Sequence, residues 1–149
     1  METEELRQLI DAAWERAAEL GPLTQGPARA AVELAIAGLD SGHFRVAEKF
    51  RGEWQVQQWL KKAVLLSLRL NAMSAIPGGP GGAVWWDKAP SKFAGWGAPE
   101  FERAGFRAVP GSIVRRGAYV APGAVLMPSF VNMGAYVGGG TMIDSWATV

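Results

Sequence analysis

Few side chains in this sequence of 149 residues are suited to acid–base or nucleophilic work: it has one histidine and no cysteine. Imidazole is the usual proton acceptor near neutral pH. His43, however, stands in a Ser41-Gly42-His43-Phe44 turn far from the repeats described below, and it reads as an ordinary surface residue. Any general base must therefore be another group. Asp144 is the only carboxylate after Glu102. It is either a corner residue of a repeat, where Gly, Ala, Asp and Glu are all common, or a functional carboxylate. Arg107 stands where the chain enters the repeats and is open to a similar pair of readings. It is either a solvated charge at a junction or a guanidinium that holds a carboxylate through a bidentate pair. Arg115 and Arg116 read as outward, solvated corner residues. Of the seven tryptophans, Trp146 is the one close enough in sequence to Asp144 to wall a pocket, and the others read mostly as core or subunit contact. No metal centre is expected.

The element that must position these residues is a repeat. From residue 113 a bulky apolar side chain returns every six positions, at Ile113, Tyr119, Val125, Val131, Val137, Ile143 and Val149. Four residues after each of the first six comes a small one: Gly117, Gly123, Ser129, Ala135, Thr141 and Ala147. A chain wound as a triangular prism, with one short strand per face, needs one inward aliphatic per hexad and small residues where it bends. Three hexads close a coil of about 18 residues, with coils stacked at the ~4.8 Å strand spacing. Residues 113–130 and 131–148 are the expected coils. The glycines at 138–140 and the prolines at 122 and 128 exclude a helix here.

Ahead of the repeats the pattern is mostly helical. Residues 4–20 read as an amphipathic helix capped by Thr3, with Leu6, Leu9, Ile10, Ala13, Ala17 and Leu20 on one side. A second helix from Pro27 to Gly42 is expected to pair with it antiparallel. Alternation through residues 44–57, broken at Arg51-Gly52, predicts a small hairpin. From Gln58 the run WLKKAVLLSLRL is apolar almost all round and predicts a buried helix. Residues 73–99, with GGPGG at 78–82, read as a mobile loop, and one helical turn is expected over 99–104 before Gly105. The glycines are not a nucleotide cradle, since no strand precedes them and no Lys-Ser/Thr follows.

Composition narrows the partners. At 49% apolar and 19% charged, with a net charge of +1, the chain can bury a core and lacks the basic run with interleaved aromatics that nucleic acid requires. The N-terminal stretch carries acids where a targeting segment needs bases, so neither a leader nor a membrane segment is read there. Absence of cysteine fits a reducing cytoplasm.

Four stretches closely resemble, in order, the bacterial tetrahydrodipicolinate N-succinyltransferases: FRVAEKFRGEWQVQQWLKKAVLLSLRLN, DKAPSKF, GFRAVPGSIVRRGAYVAPGAVLMPSFVNMGAYV and GTMIDSWATV. The resemblance implies an α+β, mostly helical N-terminal domain over 1–106, followed at 107–149 by the first two coils of a left-handed parallel β-helix. It implies a cytoplasmic homotrimer of lysine and diaminopimelate biosynthesis. The enzyme passes succinyl from succinyl-CoA, a co-substrate rather than a bound cofactor, to the amino group of the L-2-amino-6-oxopimelate form. By motif, the arginine of GFR is Arg107 and the aspartate of TMIDSW is Asp144, the family's substrate-binding pair. The acceptor is a dicarboxylate that wants a cation, and its amine must lose a proton, so Asp144 is also the expected catalytic group, either as the proton acceptor or by orienting the amine. Family members continue past WATV with further coils that supply the CoA channel, so the chain is read as an N-terminal fragment, inactive alone. Another hexapeptide-repeat CoA acyltransferase, and a noncatalytic trimerisation module, are the alternatives.

Overall fold

A computed structural model gives the fold and describes residues 2–149. The chain divides into two compact units, Met1–Ala37 with Val46–Pro90, and Gly38–Arg45 with Ser91–Val149.

The first unit opens with helix α1 (Thr3–Glu15), which buries Leu6, Ile10 and Ala13 at the spacing expected of one helical face. Its N-cap is Glu2, not Thr3, and no side chain bonds the free amides. The helix ends earlier than expected, and Ala17–Glu19 tighten into a 3-10 turn. Helix α2 (Pro27–Asp40) starts on the proline, whose fixed φ suits the first helical position. Arg29 ties the preceding loop down, donating to the carbonyls of Pro22, Thr24 and Leu70. The principal helical partner of α1 is not α2 but α3 (Gln58–Leu70), with Lys62 of α3 paired to Asp11 of α1 at 2.6 Å. Helix α3 is amphipathic rather than enclosed. Trp59, Leu60, Ala63, Leu66 and Leu70 are buried, whereas Leu65 faces solvent. The expected hairpin forms from β1 (Ala47–Phe50) and β2 (Glu53–Val56), turning on Arg51 and Gly52, both at positive φ as a two-residue primed turn requires.

A further hairpin lies within the stretch read from sequence as a loop. Strands β3 (Ser74–Ile76) and β4 (Trp85–Asp87) pair antiparallel in the register Ser74↔Asp87 and Ile76↔Trp85. The glycine-rich segment is the connection between them. Trp85 and Trp86 remain exposed on this ribbon, which explains why no buried alternation marked the strands.

The second unit contains helix α4 (Ala98–Ala104), closed by Gly105 in the left-handed conformation, and then seven two-residue strands: β5 (Arg107–Ala108), β6 (Ile113–Val114), β7 (Tyr119–Val120), β8 (Val125–Leu126), β9 (Phe130–Val131), β10 (Tyr136–Val137) and β11 (Met142–Ile143). They stack in parallel as three ladders, β5–β8–β11, β6–β9 and β7–β10, the arrangement of successive coils on three faces. This is the beginning of a parallel β-helix.

Its phase differs from the expected one. The residues enclosed in the first coil are Val114, Val120 and Leu126, whereas Ile113 is 42% exposed. In the second coil Val131 and Val137 are buried and Ile143 packs against them, as expected. The spacing from Leu126 to Val131 is therefore five residues, not six, because the corner Met127-Pro128-Ser129 has lost a position. Ladder registers record it: Arg107 opposes Val125 across 18 residues, but Ile113 opposes Phe130, Tyr119 opposes Tyr136 and Val125 opposes Met142 across 17. From β6 to β11 every strand is a pair of apolar residues, so an unbroken six-residue count passes from the outward member to the inward one without a gap.

The first coil is closed by Phe93, Trp96, Phe101 and Phe106, whose rings meet at centroid separations of 5.1 to 6.1 Å over the solenoid axis residues. On another face, Asp40 at the end of α2 accepts from Lys92 Nζ at 3.0 Å and from the Gly117 amide at 2.8 Å. Arg45 lies over the Tyr136 ring, which stacks on Tyr119 one rung away at 4.7 Å. Gly42 at φ +78 sits against Tyr119, where a Cβ would come within 2.8 Å of the ring.

Candidate functional site

Side chains alternate across a strand, and this places Arg107 and Asp144 on one surface. In the β5–β8–β11 ladder Arg107, Val125 and Met142 are in register, and Ala108, Leu126 and Ile143 form the next row. Leu126 is fully buried, so the row before it points outward, and so does the row after it. That following row is Val109, Met127 and Asp144, held by the Val109 amide to the Leu126 carbonyl and the Met127 amide to the Ile143 carbonyl, both at 2.9 Å. The outward surface is therefore two residues wide and three coils tall. A guanidinium stands at one corner, a carboxylate at the opposite corner, and Val109, Val125, Met127 and Met142 lie between. With rungs ~4.8 Å apart and ~3.3 Å per residue, the two Cα atoms are roughly 12 Å apart. Both charged side chains are exposed.

Asp144 is oriented locally. Its Oδ1 accepts the Ser145 amide at 2.7 Å, and its carbonyl accepts the Ala147 amide at 3.1 Å, closing the corner. One carboxylate oxygen is thus turned into the backbone and fixes the direction of the other. Trp146 follows at φ +63 with its indole 84% exposed, and its amide donates to the Pro128 carbonyl of the coil before. An array of this kind can hold an elongated anion by its carboxylate at Arg107, lay its carbon chain on the apolar strip, and meet a proton-bearing group at Asp144.

The remaining sequence candidates lie elsewhere. His43 is exposed and stacks on Phe44 at 4.7 Å. Arg115, read as solvated, is half-buried on the β6–β9 face, where its Nη1 donates to Asn132 of the next coil at 3.0 Å. Arg116 is exposed. Among the described residues there is no group of three or more His, Asp or Glu that could hold a metal ion, and no helix is long and apolar enough to cross a membrane. A cavity of about 310 Å³ in the first unit, lined by Leu9, Arg16, Leu20 and Pro27 among others, contains neither Arg107 nor Asp144. The Asp40–Lys92 pair escaped the sequence reading because 52 positions separate its members.

Residues 5–70 match a family model described as tetrahydrodipicolinate N-succinyltransferase N-terminal. Proteins named 2,3,4,5-tetrahydropyridine-2,6-dicarboxylate N-succinyltransferase are similar along almost the whole chain. That of Methylobacterium sp. (strain 4-46) is 65% identical over 146 residues, which is 97% of this chain and 52% of the relative. That of Parvibaculum lavamentivorans is 60% identical over 150 residues, 100% of this chain and 53% of the relative. That of Caulobacter vibrioides is 58% identical over 148 residues, 97% of this chain and 54% of the relative. The chain spans about half the length of the curated relatives it matches.

Proposed function

We propose that this chain, which belongs to the tetrahydrodipicolinate N-succinyltransferases and matches their N-terminal half, carries the acceptor site of an enzyme that succinylates tetrahydrodipicolinate. The observation that carries the reading is 65% identity along 97% of the chain to a protein of that name. The acceptor, in its open L-2-amino-6-oxopimelate form, is an amino-dicarboxylate. Arg107 binds one carboxylate through charge-assisted hydrogen bonds, the apolar strip supports the chain, and Asp144 receives the amine. The amine nitrogen attacks the thioester carbonyl carbon of succinyl-CoA. As the N–C bond forms, Asp144 takes the amine proton. The C–S bond then breaks, and the CoA sulfur leaves and is protonated.

The functional division falls at residue 107, with a helical domain over 1–106 and a β-helix from 107 onward. The winding is left-handed, which short corner connections permit where helical crossovers do not. The intact enzyme is a cytoplasmic homotrimer acting in diaminopimelate and lysine biosynthesis, with no resident cofactor. The donor channel is supplied by the half of the relatives' length that this chain does not match. A thiol-release assay of the intact enzyme tests the assignment. CoA release with the tetrahydrodipicolinate-type acceptor is expected. Release with a sugar amine and none with that acceptor would sink it in favour of another hexapeptide-repeat acyltransferase, and no release with any amine would favour a noncatalytic module.

A further inference from the structure

The corners of the solenoid obey a rule that breaks once. Six of its corners have four residues, following Ala108, Val114, Val120, Val131, Val137 and Ile143. In the first five the third corner residue is glycine at positive φ: Gly111 at +92, Gly117 at +93, Gly123 at +77, Gly134 at +85 and Gly140 at +69. In the sixth it is Trp146, at +63. A side chain with a Cβ is disfavoured in the left-handed region, and a bulky one is an outlier there. The conformation is held on both sides, by the Trp146 amide on the Pro128 carbonyl at 2.6 Å and by the Ala147 amide on the Asp144 carbonyl at 3.1 Å.

Within the two coils of this chain the indole enters no core position. Strain kept where glycine would relieve it is a pattern found at functional residues. Two residues along the chain, the Cα of Trp146 lies within about 7 Å of that of Asp144.

We infer that Trp146 is a positioning residue for the acceptor, its indole face held off the corner to receive the ammonium-bearing end of an amino-dicarboxylate beside Asp144. This rests on the proposed function. An ammonium over an indole is attracted by the ring quadrupole, and the same face offers apolar contact to the adjoining methylenes. The acceptor's amine is thereby kept between a π face and the carboxylate that takes its proton.

The test uses the intact enzyme with Trp146→Gly and Trp146→Phe, measuring acceptor and donor KM by thiol release, the melting temperature and the association state. Trp146→Gly is expected to raise acceptor KM about 10-fold and leave donor KM and association state unchanged. It should also raise the melting temperature, since glycine relieves the strained corner. Trp146→Phe, which keeps a π face, should retain most of the acceptor affinity. An unchanged acceptor KM in active Trp146→Gly enzyme overturns this inference alone. A lowered melting temperature or a dissociated assembly overturns it in favour of a packing or subunit-contact role. A wild-type enzyme that releases no thiol overturns the functional reading and this inference with it.

Discussion

Both ends of the solenoid in this chain are built from the same hexad and carry aromatics, in different backbone conformations. At its start, Phe93, Trp96, Phe101 and Phe106 gather over the first coil, and Phe106 is buried. After β11 the corner carries a strained tryptophan where five others carry glycine. Large aromatics at the first end lower the free energy of the fold by covering apolar axis residues. At the other end an aromatic is retained in a conformation that costs stability. One sequence pattern therefore supports two kinds of aromatic, and backbone angle, not residue type, separates them.

The sharpest way to break the comparison is at the capped end. Phe106→Ala removes a buried ring from the cap and is expected to destabilise by about 3–5 kcal/mol, read from chemical denaturation. A loss within about 0.5 kcal/mol would mean that the aromatic cluster is not a cap at all.

The coil phase gives the next test. Val114 is fully enclosed, and Val114→Ala removes two methyl groups and leaves a cavity, for about 2 kcal/mol. Ile113, partly exposed, should cost less than about 1 kcal/mol when cut to Ala. The reverse order would restore the phase read from sequence and contradict the short corner at Met127-Pro128-Ser129.

That phase marks where the sequence stops being informative. The solenoid itself was legible, since few other folds set an apolar residue every sixth position and small residues at fixed offsets. Which member of each apolar pair points inward was not, because Ile113-Val114, Tyr119-Val120 and Val125-Leu126 offer the interior two similar choices. A single missing corner residue decides between them. The β1–β2 hairpin was legible through Arg51-Gly52, whereas β3–β4 was masked by its glycine-rich connection and by tryptophans that stay in water. Asp40, Lys92 and Gly117 meet only through the fold, with no local signal to link them. Arg107 and Asp144 could be named by motif, but their common surface follows from the three-strand register.

A smaller effect belongs to the capped end. The Glu100 carboxylate accepts the Gly97 amide at 2.8 Å at the start of α4, and this bond, with a lesser attraction from Arg103, holds its pKa below the usual 4.5. A depressed pKa means that the carboxylate's contribution is present above the unfolded value and lost as pH falls through the folded one. Glu100→Ala should therefore lower the melting temperature slightly near neutral pH, and the difference from wild type should vanish well below 4.5. A difference that persists in acid would show that the carboxylate charge is not what caps α4.

The proposed acceptor site is the ladder surface that carries Arg107 and Asp144. Its most direct test is the acceptor KM of Arg107→Ala in the intact enzyme, with donor KM and melting temperature measured alongside. Loss of a charge-assisted contact worth roughly 1.5–3 kcal/mol predicts that acceptor KM rises about 10-fold to more than 100-fold. Donor KM and stability should hardly move, because Arg107 is exposed. An acceptor KM equal to that of wild type, in a variant that folds and turns over, would return Arg107 to a solvated junction charge and contradict the placement of the acceptor on this surface.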